Sequence, residues 1–179
     1  MAPGDGAARF VRTHDRELSY GYLVVATGSR HSYCGHGEWE KLAPGLKSLE
    51  DAIEIRRRIL MAFEFAEKTT DLEARQAAMN FVIIGGGPTG VEMAGTIAEI
   101  ARETLAKDFH HIDPSRSRVI LIDGGDRLLS GFPEDLSASA KKQLEALRVE
   151  VRLGVHADNV TEAGVSFGGE FIPSRVKVW

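Results

Sequence analysis

Apolar residues along this chain fall into two rhythms. Unbroken runs stand at Tyr20–Ala26 (YGYLVVA), Phe81–Ile84 (FVII) and Val119–Ile122 (VILI). Continuity rather than alternation predicts strands buried on both faces. Elsewhere the spacing is helical. Ile55, Ile59, Ala62 and Ala66 recur every three or four residues, as do Ala94, Ile97, Ala101 and Leu105, and then Leu136, Ala140, Leu144 and Leu147. Each set forms one face of a helix. Ser48, with Asp51 three residues on, is a variant capping box, so the first helix starts there and fades near Thr69 and Thr70. The second is predicted from about Thr89 to Lys107, and Pro133 introduces the third. Val149 and Val151 alternate with Glu150 and Arg152 as a strand. Ala163-Gly164 and Gly168-Gly169 read as hairpin turns, after which Val176 to Trp179 is again strand-like. His31 to Gly45 has no period and reads as a loop or linker. The order strand, helix, strand over residues 81–122 predicts an α/β fold. It is a Rossmann-like domain with a parallel sheet, in which 81–84 and 119–122 are neighbours, followed by a β-meander.

Composition narrows the function classes. At 179 residues the chain can bury one core, or one core and part of another. A net charge of -4 argues against a nucleic-acid partner. The basic run Arg56-Arg57-Arg58 lies near Glu54 and Glu64 and reads as a solvated helix face. Cys34 is the only cysteine, which excludes an internal disulfide and points to a reducing compartment. No secretory signal pattern opens the chain, and no run reaches the roughly eighteen apolar residues of a membrane span. A membrane role would be peripheral, or would use other parts of a longer protein.

The chemistry lies in FVIIGGGPTGVEMAG, residues 81–95. Gly85, Gly87 and Gly90 form GxGxxG directly after a strand and at the start of a helix, the context that this motif requires. Gly85 permits a tight turn, Gly87 lets backbone approach a pyrophosphate, and Gly90 lets helix and strand pack closely. Gly85, Gly86, Gly87, Pro88, Thr89 and Gly90 are therefore the candidate dinucleotide cradle, with a helix N-terminus facing the phosphates. Asp123 ends VILID, where a carboxylate can take both ribose hydroxyls of NAD and repel a 2′-phosphate. It stands farther on than the usual spacing of about twenty residues. The other reading is a turn aspartate before Gly124-Gly125. Glu92 falls in the predicted first helical turn, where it either favours the helix dipole or lies beside the nicotinamide. His31, Cys34 and His36 lack a fourth metal ligand and read as loop polarity, and His110-His111 as a solvated helix end.

Two further segments resemble a known family. YLVVATGSR resembles the ATG segment of flavoproteins in which an NAD domain is inserted into an FAD domain. The resemblance implies that Ala26, Thr27 and Gly28 lie near the flavin nucleotide. It makes residues 1–43 the C-terminal part of the first segment of an FAD-binding domain, and residues 44–179 the inserted NAD(H)-binding domain, ending in a strand that returns to the FAD domain. SLEDAIEIRRRIL, the glycine turn and DFHHIDPSRSRVILID resemble type II NADH dehydrogenases, single-subunit NADH:quinone oxidoreductases, over Glu17 to Trp179. That likeness implies FAD and NAD as cofactors, and NADH and a membrane quinone as partners. Hydride would pass from NADH to FAD, and electrons then to the quinone. Glu92 would act at the nicotinamide. The parent enzyme would be cytoplasmic and peripheral on the inner face of the cell membrane, held by parts absent here, with room for a homodimer. No first GxGxxG precedes the ATG segment, so the chain reads as a fragment that binds NADH without holding FAD stably. Two rivals stand: a soluble NADH-dependent flavoprotein reductase of the ferredoxin or disulfide type, and a non-enzymatic NAD-binding module. A disulfide reductase needs a cysteine pair, and Cys34 stands alone.

Overall fold

The computed structural model describes residues 9–28 and 31–179, which divide into two compact units, Met1–Arg30 and His31–Trp179. The small unit carries an antiparallel pair, β1 (Phe10–Arg12) and β2 (Glu17–Ser19), bridged by an exposed ion pair between Arg12 and Glu17. The run Tyr20–Ala26, expected as a buried strand, is not one. It has no regular structure, and Tyr22 and Val24 are 98% and 85% exposed. A strand buried on both faces needs packed layers above and below its sheet, and in this unit the described residues 21–28 are exposed instead.

The large unit is built on a parallel sheet of four strands: β3 (Asn80–Ile84), β4 (Arg118–Asp123), β5 (Val149–Leu153) and β9 (Val176–Val178), in the order β5-β4-β3-β9. β3 and β4 pair in parallel, with Phe81 opposite Val119 and Ile84 opposite Ile122. Side chains alternate between two cores. Phe81, Ile83, Val119 and Leu121 enter a helix-covered face, while Val82, Ile120 and Ile122 enter the other. This two-sided burial is why these runs are apolar throughout.

The helices on the first face are α1 (Leu49–Lys68), α2 (Leu72–Ala78), α3 (Pro88–Glu99) and α4 (Glu134–Ala146). Ser48 caps α1 with the full box: its hydroxyl accepts from Asp51 N, and Asp51 accepts from Ser48 N at 2.9 Å. Ile55, Ile59, Ala62, Phe63 and Ala66 are the buried face of α1. α2 was not expected. Asp71 caps it through Glu73 N and Ala74 N, just beyond the expected end of α1 near Thr69 and Thr70. α3 does not run unbroken to Lys107. It passes into a π-turn at Ile100–Thr104, where Leu105 N donates to Ile100 O. The opposite face of the sheet is covered by the meander β6 (Ala157–Val160), β7 (Gly164–Phe167) and β8 (Glu170–Pro173), together with the segment holding Tyr33, Trp39 and Ala43. The expected loop 31–45 therefore packs with the large unit, and a short 3-10 helix forms at Gly37–Lys41.

Candidate functional site

The glycine turn joins β3 to α3 where the parallel strands end, the usual place for a ligand in such a sheet. Gly85 has φ of 114°, a conformation open to glycine, and its N–H donates to Ile122 O at 2.8 Å. Gly87 is the N-cap of α3 and offers no side-chain cap. Helix geometry then leaves the Thr89 and Gly90 amides without intrahelical acceptors, while Pro88 has no N–H to satisfy. A Cβ on Gly87 would meet nothing within 4 Å. The space in front of this backbone is thus open, as a phosphate would require. A Cβ on Gly90 would land on the Gly85 carbonyl oxygen, so that glycine sets the close approach of helix and turn.

Asp123 ends β4 and is partly buried. Its two carboxylate oxygens take different loops: Oδ2 accepts from Gly86 N at 2.6 Å, and Oδ1 from Gly125 N at 2.7 Å. The second bond is an Asx-type turn. The turn reading of this residue and a position on the cleft are therefore not exclusive. Asp123 clasps the two glycine loops together and still faces the cleft. That cleft, of about 540 Å3, is lined by Ile84, Gly85 and Asp123 on the sheet side and by Trp39, His156 and Trp179 around them. Trp39 stacks on His36 at 4.0 Å, and the Trp179 indole N–H donates to Ser32 O at 2.8 Å. This aromatic rim was not foreseen, because residues 31–45 showed no period. The cluster of Tyr33 and the two tryptophans could have been suspected only from their isolated bulk in polar surroundings.

Other expected site residues fall elsewhere. α3 starts at Pro88, so Glu92 is past the first turn and gains little from the helix dipole. It is exposed and lines a separate groove with Val91, Gly95 and Leu129, not the cleft. Ala26, Thr27 and Gly28 are exposed residues of the small unit, with Gly28 left-handed at φ 73°. His31 faces Asp51 at 3.5 Å. His110 and His111 are not a solvated helix end. Their backbone amides, with that of Ile112, donate to Glu67 on α1, and His111 Nδ1 lies 2.8 Å from it. Burial would raise the Glu67 carboxyl, but the bonds from His111 and His110 hold it down at about 2.

An open glycine turn at a helix N-terminus, with an acid clasp on the next parallel strand, is the arrangement that dinucleotide-binding α/β domains use. The chain belongs to the pyridine nucleotide-disulphide oxidoreductase family, whose model matches residues 4–172. Among curated proteins it is similar to the type II NADH:quinone oxidoreductase Ndh of Mycobacterium tuberculosis, with 42% identity over 93% of this chain and 37% of that protein. NdhA of the same organism, also a type II NADH:quinone oxidoreductase, is 44% identical over 89% of this chain and 35% of its own length. Among solved structures, NDH2 from Plasmodium falciparum in complex with NADH superposes with a TM-score of 0.79 at 22% identity, covering 92% of this chain and 35% of that one. The fold is shared with that structure. The chain spans little more than a third of the length of these relatives.

Proposed function

We propose that this chain is the NADH-binding part of a flavin-dependent NADH:quinone oxidoreductase. The observation that carries the reading is that Gly85, where the glycine turn begins, and Asp123, which accepts from Gly86 N, line one cleft at the ends of β3 and β4. The residues fit a dinucleotide. The space around a Gly87 Cβ is empty of protein, the Thr89 and Gly90 amides at the start of α3 lack intrahelical acceptors, and a carboxylate stands at the neighbouring strand end. They do not make a flavin seat. The small unit holds β1 and β2 and, among the described residues, no helix N-terminus. FAD is therefore proposed for the whole protein, with residues 1–43 as part of its FAD domain and 44–179 as the NAD domain.

In that protein NADH gives a hydride to the flavin, and a quinone takes the electrons. The proposed setting is peripheral, on the inner face of the cell membrane, with a homodimer compatible. Among the described residues no helix is long and apolar enough to cross a membrane. The role of Glu92 at the nicotinamide end belongs to the same proposal and rests on the family likeness, since its side chain lines the separate groove with Val91, Gly95 and Leu129.

The test is cofactor choice. Titration should show NADH bound more tightly than NADPH, because the Asp123 carboxylate opposes a 2′-phosphate. Asp123→Asn should narrow that preference and also weaken NADH. The amide can present an oxygen to only one of the two glycine N–H groups, so about 1–3 kcal/mol of loop organisation is lost. Equal binding of NADH and NADPH by the unaltered chain would remove Asp123 from the site.

A further inference from the structure

The parallel sheet has two ends, and the nucleotide cleft occupies one. At the other, where β3 and β4 begin, a second hollow of about 450 Å3 opens between α2, the segment His111–Arg116 and the first residue of β4. At about 3.3 Å per residue, β3 separates the two by on the order of 15 Å. The walls of this hollow carry Arg75, Arg116, Arg118 and His111 against a single carboxylate, Asp113. The lining itself is therefore basic in a chain of net charge -4, although Glu150, Glu170 and Glu67 stand behind Arg118 and His111.

The charges that face these groups are already engaged. Asp113 Oδ1 accepts from Ser115 N at 3.0 Å and from Ser115 Oγ at 2.6 Å. From β5, Glu150 takes Arg118 Nε and Nη2 at 2.8 and 3.0 Å. From α1, Glu67 takes His111. Arg75 gives Nε to Ala66 O and Nη2 to Thr69 O, at 3.2 and 2.5 Å. Arg75 and Arg118 are thus each held along one edge of the guanidinium. Their Nη1 groups have no acceptor among the described residues, and neither has the exposed Arg116 side chain. Two guanidinium groups fixed in place and one unengaged, around a concave polar space, suit a multivalent oxyanion. Guanidinium forks match phosphate oxygens, and a lone carboxylate would leave donors unused.

We propose that this hollow is a second anion site, distinct from the nucleotide cleft, and that it takes a phosphate-bearing ligand. The probe is inorganic pyrophosphate, titrated into the full 179-residue chain with NADH saturating so that the glycine turn is occupied. Saturable binding is expected, with amide signals of His111 and Ile112 moving and those of Gly85–Gly87 unchanged. Arg116→Glu removes a side chain that supports nothing else. It should weaken pyrophosphate about tenfold or more while leaving the NADH affinity and the thermal midpoint alone. Vesicles of phosphatidylglycerol in phosphatidylcholine form the second arm. Vesicle binding that depends on Arg116, with pyrophosphate weak, identifies a lipid headgroup as the source of the phosphate. Pyrophosphate binding without vesicle binding identifies a soluble ligand. Arg116→Glu with undiminished binding of both, shifts confined to Gly85–Gly87, or no binding of either overturns the proposal.

Discussion

Gly87 and Gly90 stand three residues apart in one motif, yet they fail in opposite ways when substituted. Around Gly87 a side chain meets open space, so Gly87→Val should leave stability within about 0.5 kcal/mol, as at other unencumbered surface sites. Its cost falls on the ligand, because the valine fills the place of the pyrophosphate. NADH affinity should drop by two orders of magnitude or more, on the order of 3 kcal/mol or above. At Gly90 the added methyl of alanine strikes the Gly85 carbonyl oxygen. Gly90→Ala should therefore unfold at lower denaturant, by about 1–3 kcal/mol, whether or not nucleotide is present. Paired urea melts and NADH titrations separate the two. A destabilised Gly87→Val that still binds NADH would mean that the turn serves folding alone. Asp123 was legible as an acid at a strand end, but its hold on Gly86 and Gly125 was not, since the two loops meet only after the sheet forms. Lys177 was missed altogether. A lysine within VKV reads as an exposed strand position, yet it is 3% exposed and gives its ammonium to Thr161 O, Glu162 O and Ser174 O.

At the scale of elements, those same bonds tie the β6–β7 turn to β9. Burial pushes the Lys177 ammonium down to about 8 from its ordinary 10.5. The folded chain then holds fewer protons than the unfolded one between about pH 8 and 10.5, so this lysine makes stability rise with pH across that window. Urea midpoints compared with Lys177→Met, in which that rise is gone, isolate the effect from other titrations. A parallel pH profile in the two proteins would mean that carbonyl bonding offsets the burial. Glu67 supplies a second elemental tie, from α1 to the segment 110–112. Its carboxyl is held below the unfolded value, so its contribution is present above about pH 4.5 and fades as pH falls toward about 2. Glu67→Gln should speed amide exchange at His110, His111 and Ile112 while sparing β3 and β4; unchanged protection there would sink the idea. The strands of the parallel sheet and the long helices were legible because burial on two faces or on one stripe shows in the order of apolar residues, whereas the equally apolar run 20–26 is mostly exposed and forms no strand. α2 and the π-turn were not. Seven residues carry too little period, and the turn replaces i to i+4 bonding without changing which residues are apolar.

For the whole molecule, the question is what a chain with one proposed dinucleotide seat among its described residues can do by itself. Among the described residues, GGGPTG is the one glycine turn that runs from a strand straight into a helix N-terminus. The ATG residues that would border a flavin are exposed in a unit with two three-residue strands. NADH binding and flavin binding should therefore separate in this chain, and its two tryptophans make the first directly visible. Trp39 and Trp179 both line the cleft, their ring centroids 5.6 Å apart. NADH in the cleft should quench tryptophan emission and gain sensitised emission of its own, since both rings line that cleft. The response should saturate, vanish in Gly87→Val and persist in Arg116→Glu. The same preparation should be colourless, release no flavin on heating and fail to pass electrons from NADH to an added quinone. Tryptophan emission indifferent to NADH would remove the cleft from the argument. A yellow preparation with stoichiometric FAD would mean that the small unit builds more of a flavin seat than two short strands and an exposed ATG segment provide.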